Sequence, residues 1–237
     1  MPLGPSRLRP KWLFFKVPFG KFDAFLRAHG FQARKGQIVD AAIVEVPRQR
    51  NTRPENERIK HGEAEQVRAE WPPAKAAQKD TDARWTQKNG KNHYGYKEHT
   101  SVDVKHKLVR AFEVTPAQVH DHQVFEVLLT PNAHAEVYAD SAYHSAEHEA
   151  LLRGRGLRPR LQRKAVRHRG LTERERRGNR ARATVRARVE HVFGTLRQRL
   201  GDTVIRTIGL VRAKTKIGLR LLAYNMSRFA YLAGSGA

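Results

Sequence analysis

The chain has 237 residues, enough for one sizeable core and a small appendage, and carries 46 Lys and Arg against 23 Asp and Glu, a formal net charge of +23. It contains no cysteine, which excludes disulfides, a thiolate metal site and a thiol nucleophile. The apolar piece Trp12-Leu13-Phe14-Phe15 is too short for a membrane span and is broken by Lys16 and Pro18, so a cytoplasmic protein with no membrane partner is expected.

Residues 1–21 are rich in Pro, Gly, Lys and Arg without a sustained period, and read as an irregular N-terminal segment ahead of one domain over 22–237. Phe22, Phe25 and Leu26 then follow helical spacing up to a stop at Gly30. The run from Ile38 to Val44 reads as a buried strand ended by Pro47. Residues 47–81 are polar, carry Pro54, Pro72 and Pro73, and read as a mobile loop with at most a short helix around 55–70. A hairpin follows, with strands over 95–104 and 108–114 around the turn Lys105-His106-Lys107. A helix over 119–129, a short strand over 136–139, a helix over 146–153 stopped at Gly154, and a short strand over 157–161 lead into an arginine-rich loop at 163–178. Val185, Val189, Val192, Phe193, Leu196 and Leu200 fall at i, i+4, i+7, i+8, i+11 and i+15, one apolar helical stripe. Residues 209–233 form one or two further helices. Strands and helices in this order imply a mixed α/β domain with a central sheet.

The positive charge is concentrated. Between Arg153 and Arg199 there are 17 Lys and Arg against Glu173, Glu175 and Glu190, a local excess of +14. Neutralising phosphates releases counterions, so this concentration points to DNA, with Arg160, Arg163, Lys164, Arg167, Arg169, Arg180, Arg186 and Arg197 as the candidate binding residues.

Three acids stand out against that background. Asp40 sits inside the apolar run and Asp140 ends Val137-Tyr138-Ala139-Asp140; a carboxylate in such a place is costly to desolvate unless it is paired or binds a cation. Glu190 lies on the long helix beside its apolar stripe, within roughly 40° of Arg186 and Arg197. An intrahelical Arg186–Glu190 ion pair is the commoner explanation of that spacing taken alone. Asp103 is the nearest rival acid, but its alternating strand reads as half exposed. Asp121 suits a helix cap. None of His99, His120, His122, His144 and His191 stands in a tight metal-binding spacing. An oxygen-donor set of three carboxylates suits Mg²⁺ or Mn²⁺, and two such ions about 3.5–4 Å apart suit an in-line phosphoryl displacement with no protein nucleophile. Tyr224 and Tyr231, near the C-terminus among arginines, leave a tyrosine recombinase as a weaker alternative.

At these residues the chain resembles bacterial DDE transposases of the insertion-sequence-five family. The matching stretches are GQIVDAAIVEVPRQRNTRPEN, DTDARWTQKNGKNHYGYKEHTSVDVKHKLV, VTPAQVHDHQVF, VYADSAYHSAE, RARVEHVFG and RTIGLVRAKTKIGL followed by LAYNM. They run in register from about residue 22 to the C-terminus. The resemblance implies an RNase H-like catalytic domain in which Asp40, Asp140 and Glu190 match the metal-binding triad. It also implies cleavage and strand transfer at transposon ends with Mg²⁺ or Mn²⁺, action on transposon-end and target DNA, and a homodimer when active. The family's helix pattern Tyr-x2-Arg-x3-Glu-x6-Lys is matched at Arg186 and Glu190, with Arg197 where lysine is usual and Ala183 where tyrosine is usual. Relatives carry a longer helical region before the first aspartate, whereas 39 residues precede Asp40 here. That suggests an N-terminally truncated copy, with an inactive DNA-binding remnant as the alternative function.

Overall fold

The computed structural model describes residues 13–165, 168–199 and 204–235. Six strands form one mixed sheet: β1 (Gln37–Glu45), β2 (Arg84–Lys88), β3 (Lys91–Asp103), β4 (Val109–Pro116), β5 (Glu136–Ala139) and β6 (Arg158–Leu161). Their order is β2-β3-β1-β5-β6, with β4 also paired to β3. β1 and β4 each pair antiparallel with β3, β3 and β4 as a hairpin, whereas β1, β5 and β6 run parallel, β5 and β6 joined through a helix. The expected mixed α/β architecture is the one found.

Alternation along β1 divides the core. Ile38 and Val44 point into a cluster with Val189, Val192 and Leu196 of α7 (Glu173–Arg199) and Ile217 and Leu221 of α8 (Leu210–Gly234). Val39 points the other way, into a cluster with Phe125, Leu128, Val137, Tyr143 and Leu152. The short helices on that side are α5 (Phe125–Leu128), preceded by a single 3₁₀ turn, and α6 (Ala146–Gly154). The long helix anticipated over 119–129 is therefore much shorter.

Several expectations need correction. α1 spans Leu13–Ala28, so residues 13–21, expected to be irregular, are helical; residues 1–12 lie outside the described part. Pro18 and Gly20 argue locally against a helix, but Phe19 and Leu26 are buried on one face of it. Phe19 meets Phe112 edge-on with ring centroids 5.0 Å apart, so packing decides where propensity does not. The segment 47–81 is not a loose loop. It holds α2 (Arg53–Lys60), α3 (Ala64–Glu70) and α4 (Pro73–Gln78) around a small core of Ile59, Val67 and Trp71. Its prolines start helices rather than break them, Pro54 and Pro73 standing in the first turns of α2 and α4. Thr52 and Glu55 cap α2 reciprocally, and Glu55 also accepts from Trp71 Nε1 and Lys75 Nζ, each at 2.6 Å. The Lys75 contact leads in holding the Glu55 carboxyl down to about 2. α7 starts at Glu173, inside the stretch expected to be an arginine-rich loop.

Asp103 is fully buried rather than half exposed. Its Oδ1 accepts from the His106 N–H (2.6 Å) and its Oδ2 from the Leu108 N–H (3.3 Å) and Arg110 Nε (3.0 Å). Arg110 continues to Asp23 Oδ1 (2.8 Å) and the Phe31 carbonyl (2.6 Å), tying α1 to the sheet. Two further buried acids dock α8: Glu98 pairs with Arg220, and Asp80 accepts from Tyr96 Oη and, at 3.2 Å, from the Gly209 N–H just before α8. Asn225 of α8 closes the ladder position at Val109, its Oδ1 accepting at 2.9 Å and its Nδ2 donating at 2.8 Å.

Removing Asp103 leaves a buried guanidinium short of its partner, so Asp103→Ala should cost about 3–5 kcal/mol. Urea unfolding of the variant against wild type measures this, and a loss below about 1 kcal/mol would contradict the structural role of the pair.

Candidate active site

β1 and β5 are parallel, with Gln37 beside Val137 and Ile38 beside Tyr138. Carried two residues further, this register sets Asp40 beside Asp140, and alternation turns both toward the face that bears Ile38 and Tyr138. α7 lies on that face, burying Val189, Val192 and Leu196. Along its flank Arg186, Glu190, Phe193 and Arg197 follow at i, i+4, i+7 and i+11 and border an open cleft of ≈ 690 Å³. Asp40 and the following residues of β1, together with Asp140, border the same cleft. All three acids singled out in the sequence therefore face one space. Among the described residues, no three His, Asp or Glu side chains form a ready-made metal-ligating group.

The aspartates are held differently. Asp40 Oδ1 accepts from the Ala41 N–H at 2.8 Å, and Oδ2 accepts from Arg186 Nη2 at 2.8 Å. Burial pushes the Asp40 carboxyl above the usual carboxylate range; the Arg186 charge and the Ala41 hydrogen bond oppose this, and the Asp140 carboxylate adds to it. Asp140 Oδ1 accepts from the Ala142 N–H at 2.8 Å and caps the short turn at 141–143. Glu190 is exposed, with no hydrogen-bond or ionic partner among the described residues. The intrahelical Arg186–Glu190 pair does not form. Arg186 reaches across to Asp40 instead, and its Nη1 donates to Gln162 Oε1 at 2.8 Å.

The arginine-rich surface is less available than its composition suggests. Arg160 is paired with Glu136 (2.6 Å), Arg163 with Glu149 (3.2 Å), Arg169 with Glu175 (3.0 Å) and Arg180 with Glu173 (2.7 Å). Lys164 is exposed, Arg167 lies outside the described residues, and only Arg186 and Arg197 of the eight candidates border the cleft. Cleft residues the sequence reading missed come from the β2–β3 hairpin: Lys88, Asn89, Lys91 and His93. The overlooked signal was Asn89-Gly90, a dipeptide that favours two-residue hairpin turns. Of the histidines, His99 is buried and pushed down to about 4 by desolvation. Tyr224 is buried, donating to the Lys107 carbonyl at 2.8 Å, and neither it nor Tyr231 borders the acidic cleft.

The family described as "Transposase DDE domain" matches residues 32–226, a span that includes all three acids. The chain belongs to that family. Its mixed sheet flanked by helices is the RNase H-like arrangement expected from the resemblance. The transposase for insertion sequence element IS1106 of Neisseria meningitidis serogroup B is 32% identical over 195 residues, covering 81% of this chain and 64% of that relative. The chain thus spans less than two thirds of the length of this relative. No solved structure matches significantly. DDE transposases use divalent metal ions as a class, and among the described residues no helix is long and apolar enough to cross a membrane.

The Asp40 carboxyl has a usual pKa of 3.8 that folding raises. The folded state therefore favours the protonated form, and wild type is penalised increasingly as pH rises through the shifted value. Asp40→Asn removes that penalty. Its melting temperature should lie close to wild type near pH 4 and exceed it near pH 8 by roughly 2–4 °C for each kcal/mol relieved. A gap that stays constant across this range would show that burial of the charge is not what strains the site.

Proposed function

We propose that this protein is an insertion-sequence transposase that nicks DNA at the element's ends and joins the freed 3′-hydroxyl to target DNA. The observation that carries the reading is the meeting of Asp40, Asp140 and Glu190 at one open cleft in a chain of the DDE family. Asp40, Asp140 and Glu190 would hold Mg²⁺ or Mn²⁺, two ions in this reading, because an all-oxygen donor set with room for water and phosphate suits these cations. Bound there, the ions would activate the attacking oxygen and stabilise the leaving one during in-line displacement.

The chain's own residues have definite tasks. The Ala41 and Ala142 N–H groups each fix one aspartate oxygen, leaving the second oxygen of Asp140 uncommitted. The Arg186 charge opposes the burial and the Asp140 charge that raise the Asp40 carboxyl. Glu190, exposed at the cleft, would complete the donor set. Arg197 supplies positive charge for the phosphate on the same helix flank. Action on DNA in the cytoplasm and a homodimer when active belong to the same reading.

The test is a nicking assay with Mg²⁺ on DNA carrying the element's terminal repeats. Wild type should nick, and Asp40→Asn, Asp140→Asn and Glu190→Gln should each lower the rate by about a hundredfold or more, the scale of losing one charge-stabilising group. Binding without nicking by wild type would favour the competing reading, a DNA-binding remnant without catalysis.

A further inference from the structure

The tip of the β2–β3 hairpin borders the cleft, yet the catalytic reading gives it no task. β1 ends at Glu45 opposite Gly95, whereas β3 begins at Lys91. Beyond the bond from the Val46 N–H to the Tyr94 carbonyl (3.0 Å), the tip has β2 alone beside it. It is nonetheless a defined projection. Asn89 and Gly90 both have positive φ, 52° and 73°, the two-residue turn whose twist matches the strands it joins. His93 Nδ1 lies 2.5 Å from Glu45 Oε1 and anchors the base of the tip to the end of β1.

Charge and reach together assign it a role. Lys88 and Lys91 are exposed and make no ion pair among the described residues, in contrast to Arg160, Arg163, Arg169 and Arg180. A cation without a protein partner is the one free to release counterions when it meets a phosphate. Lys88, Lys91, Asp40 and Asp140 border one cleft, and along β3 the tip at Lys91 lies nine residues from Thr100, the partner of Asp40, at most about 31 Å at roughly 3.4 Å per residue. A nucleic-acid strand advances about 3.4 Å per phosphate, so a strand in the cleft reaches the tip within about nine nucleotides of the acids.

We propose that Lys88 and Lys91 form a phosphate clamp that grips one DNA strand within about nine nucleotides of the phosphate being cut and sets that strand's approach to the acids. The proposal rests on the transposase reading for its reaction, but its binding is independent of metal. Lysine, a mobile point charge, suits a contact that holds the backbone without reading bases.

The binding test uses the full chain, a fluorescent duplex, no divalent metal, and anisotropy titrations between about 50 and 200 mM KCl. The Lys88→Ala/Lys91→Ala variant should lose about 1.8 from the slope of log affinity against log salt, about 0.9 per phosphate contact. Lys88→Arg/Lys91→Arg should keep the slope, and Arg160→Ala/Arg163→Ala, which removes residues already paired with acids, should change it far less. An unchanged melting temperature in each variant confirms that the fold is intact. A slope unaltered in the Lys88→Ala/Lys91→Ala variant overturns the clamp. Position is read from nicking with Mg²⁺: the alanine variant should raise KM on long DNA, and the increase should vanish as the DNA end is brought from about nine nucleotides away toward the cut. A KM increase that is the same at every length overturns the placement. Wild type that binds with a clamp-dependent slope but never nicks would instead refute the transposase reading and leave the clamp standing.

Discussion

Two aspartates held side by side, Asp40 within β1 and Asp140 just past the end of the neighbouring parallel strand β5, are the constraint on which the rest of this structure turns. Each is an acid in a partly buried setting, and burial together with mutual repulsion drives Asp40 toward its neutral form. The fold tolerates the pair because a guanidinium and two backbone N–H groups are aimed at it. Arg186 reaches Asp40 only because α7 lies against the sheet through Val189, Val192 and Leu196. The apolar stripe of α7 and its charged flank are thus one device, in which packing energy positions a counter-ion. Strain of this kind persists where a site needs negative charge for a cation or substrate to meet.

Two other buried acids show what satisfied carboxylates look like in the same protein. Asp103 accepts from two backbone N–H groups and Arg110, and Asp80 is bound on both oxygens by Tyr96 and backbone donors. These two help fasten α1 and α8 to the sheet and have little to offer a ligand, whereas Glu98 pairs with Arg220 through Oε2 and leaves Oε1 without a hydrogen bond. Asp140 keeps an uncommitted oxygen and Glu190 has no partner among the described residues. The contrast between closed and open donor sets separates Asp140 and Glu190 from Asp103 and Asp80; Asp40, engaged on both oxygens by the Ala41 N–H and Arg186, is set apart by its place at the cleft.

The same contrast explains which features were legible in the sequence. Apolar runs at Ile38–Val44 and Val137–Ala139, each ending in or interrupted by an acid, marked the strands and the site because an unexplained carboxylate in apolar surroundings is rare. The α7 stripe was legible for its period, although the polar half of that helix before Val185 was not, having no apolar face to announce it. β2 escaped because Trp85, Gln87 and Lys88 are exposed and its pattern carries no buried alternation. The compact helices at 53–78 escaped because their small core draws on three well-separated residues, Ile59, Val67 and Trp71. Asp103 was misread because β3 is buried on both faces along its second half, where alternation loses its meaning. Two of the arginine pairings, Arg160 with Glu136 and Arg163 with Glu149, span 24 and 14 residues, and no local pattern encodes them.

The central claim is that the Asp40–Asp140 juxtaposition, completed by Glu190, is a divalent-cation site. Titration of Mn²⁺ followed by electron paramagnetic resonance, on wild type, Asp40→Asn, Asp140→Asn and Glu190→Gln without DNA, tests it most directly. The account predicts saturable binding by wild type that each aspartate variant abolishes and Glu190→Gln weakens. Mn²⁺ affinity that survives unchanged in Asp140→Asn would contradict it, because the ion would then not lie between the two strands that bring these acids together.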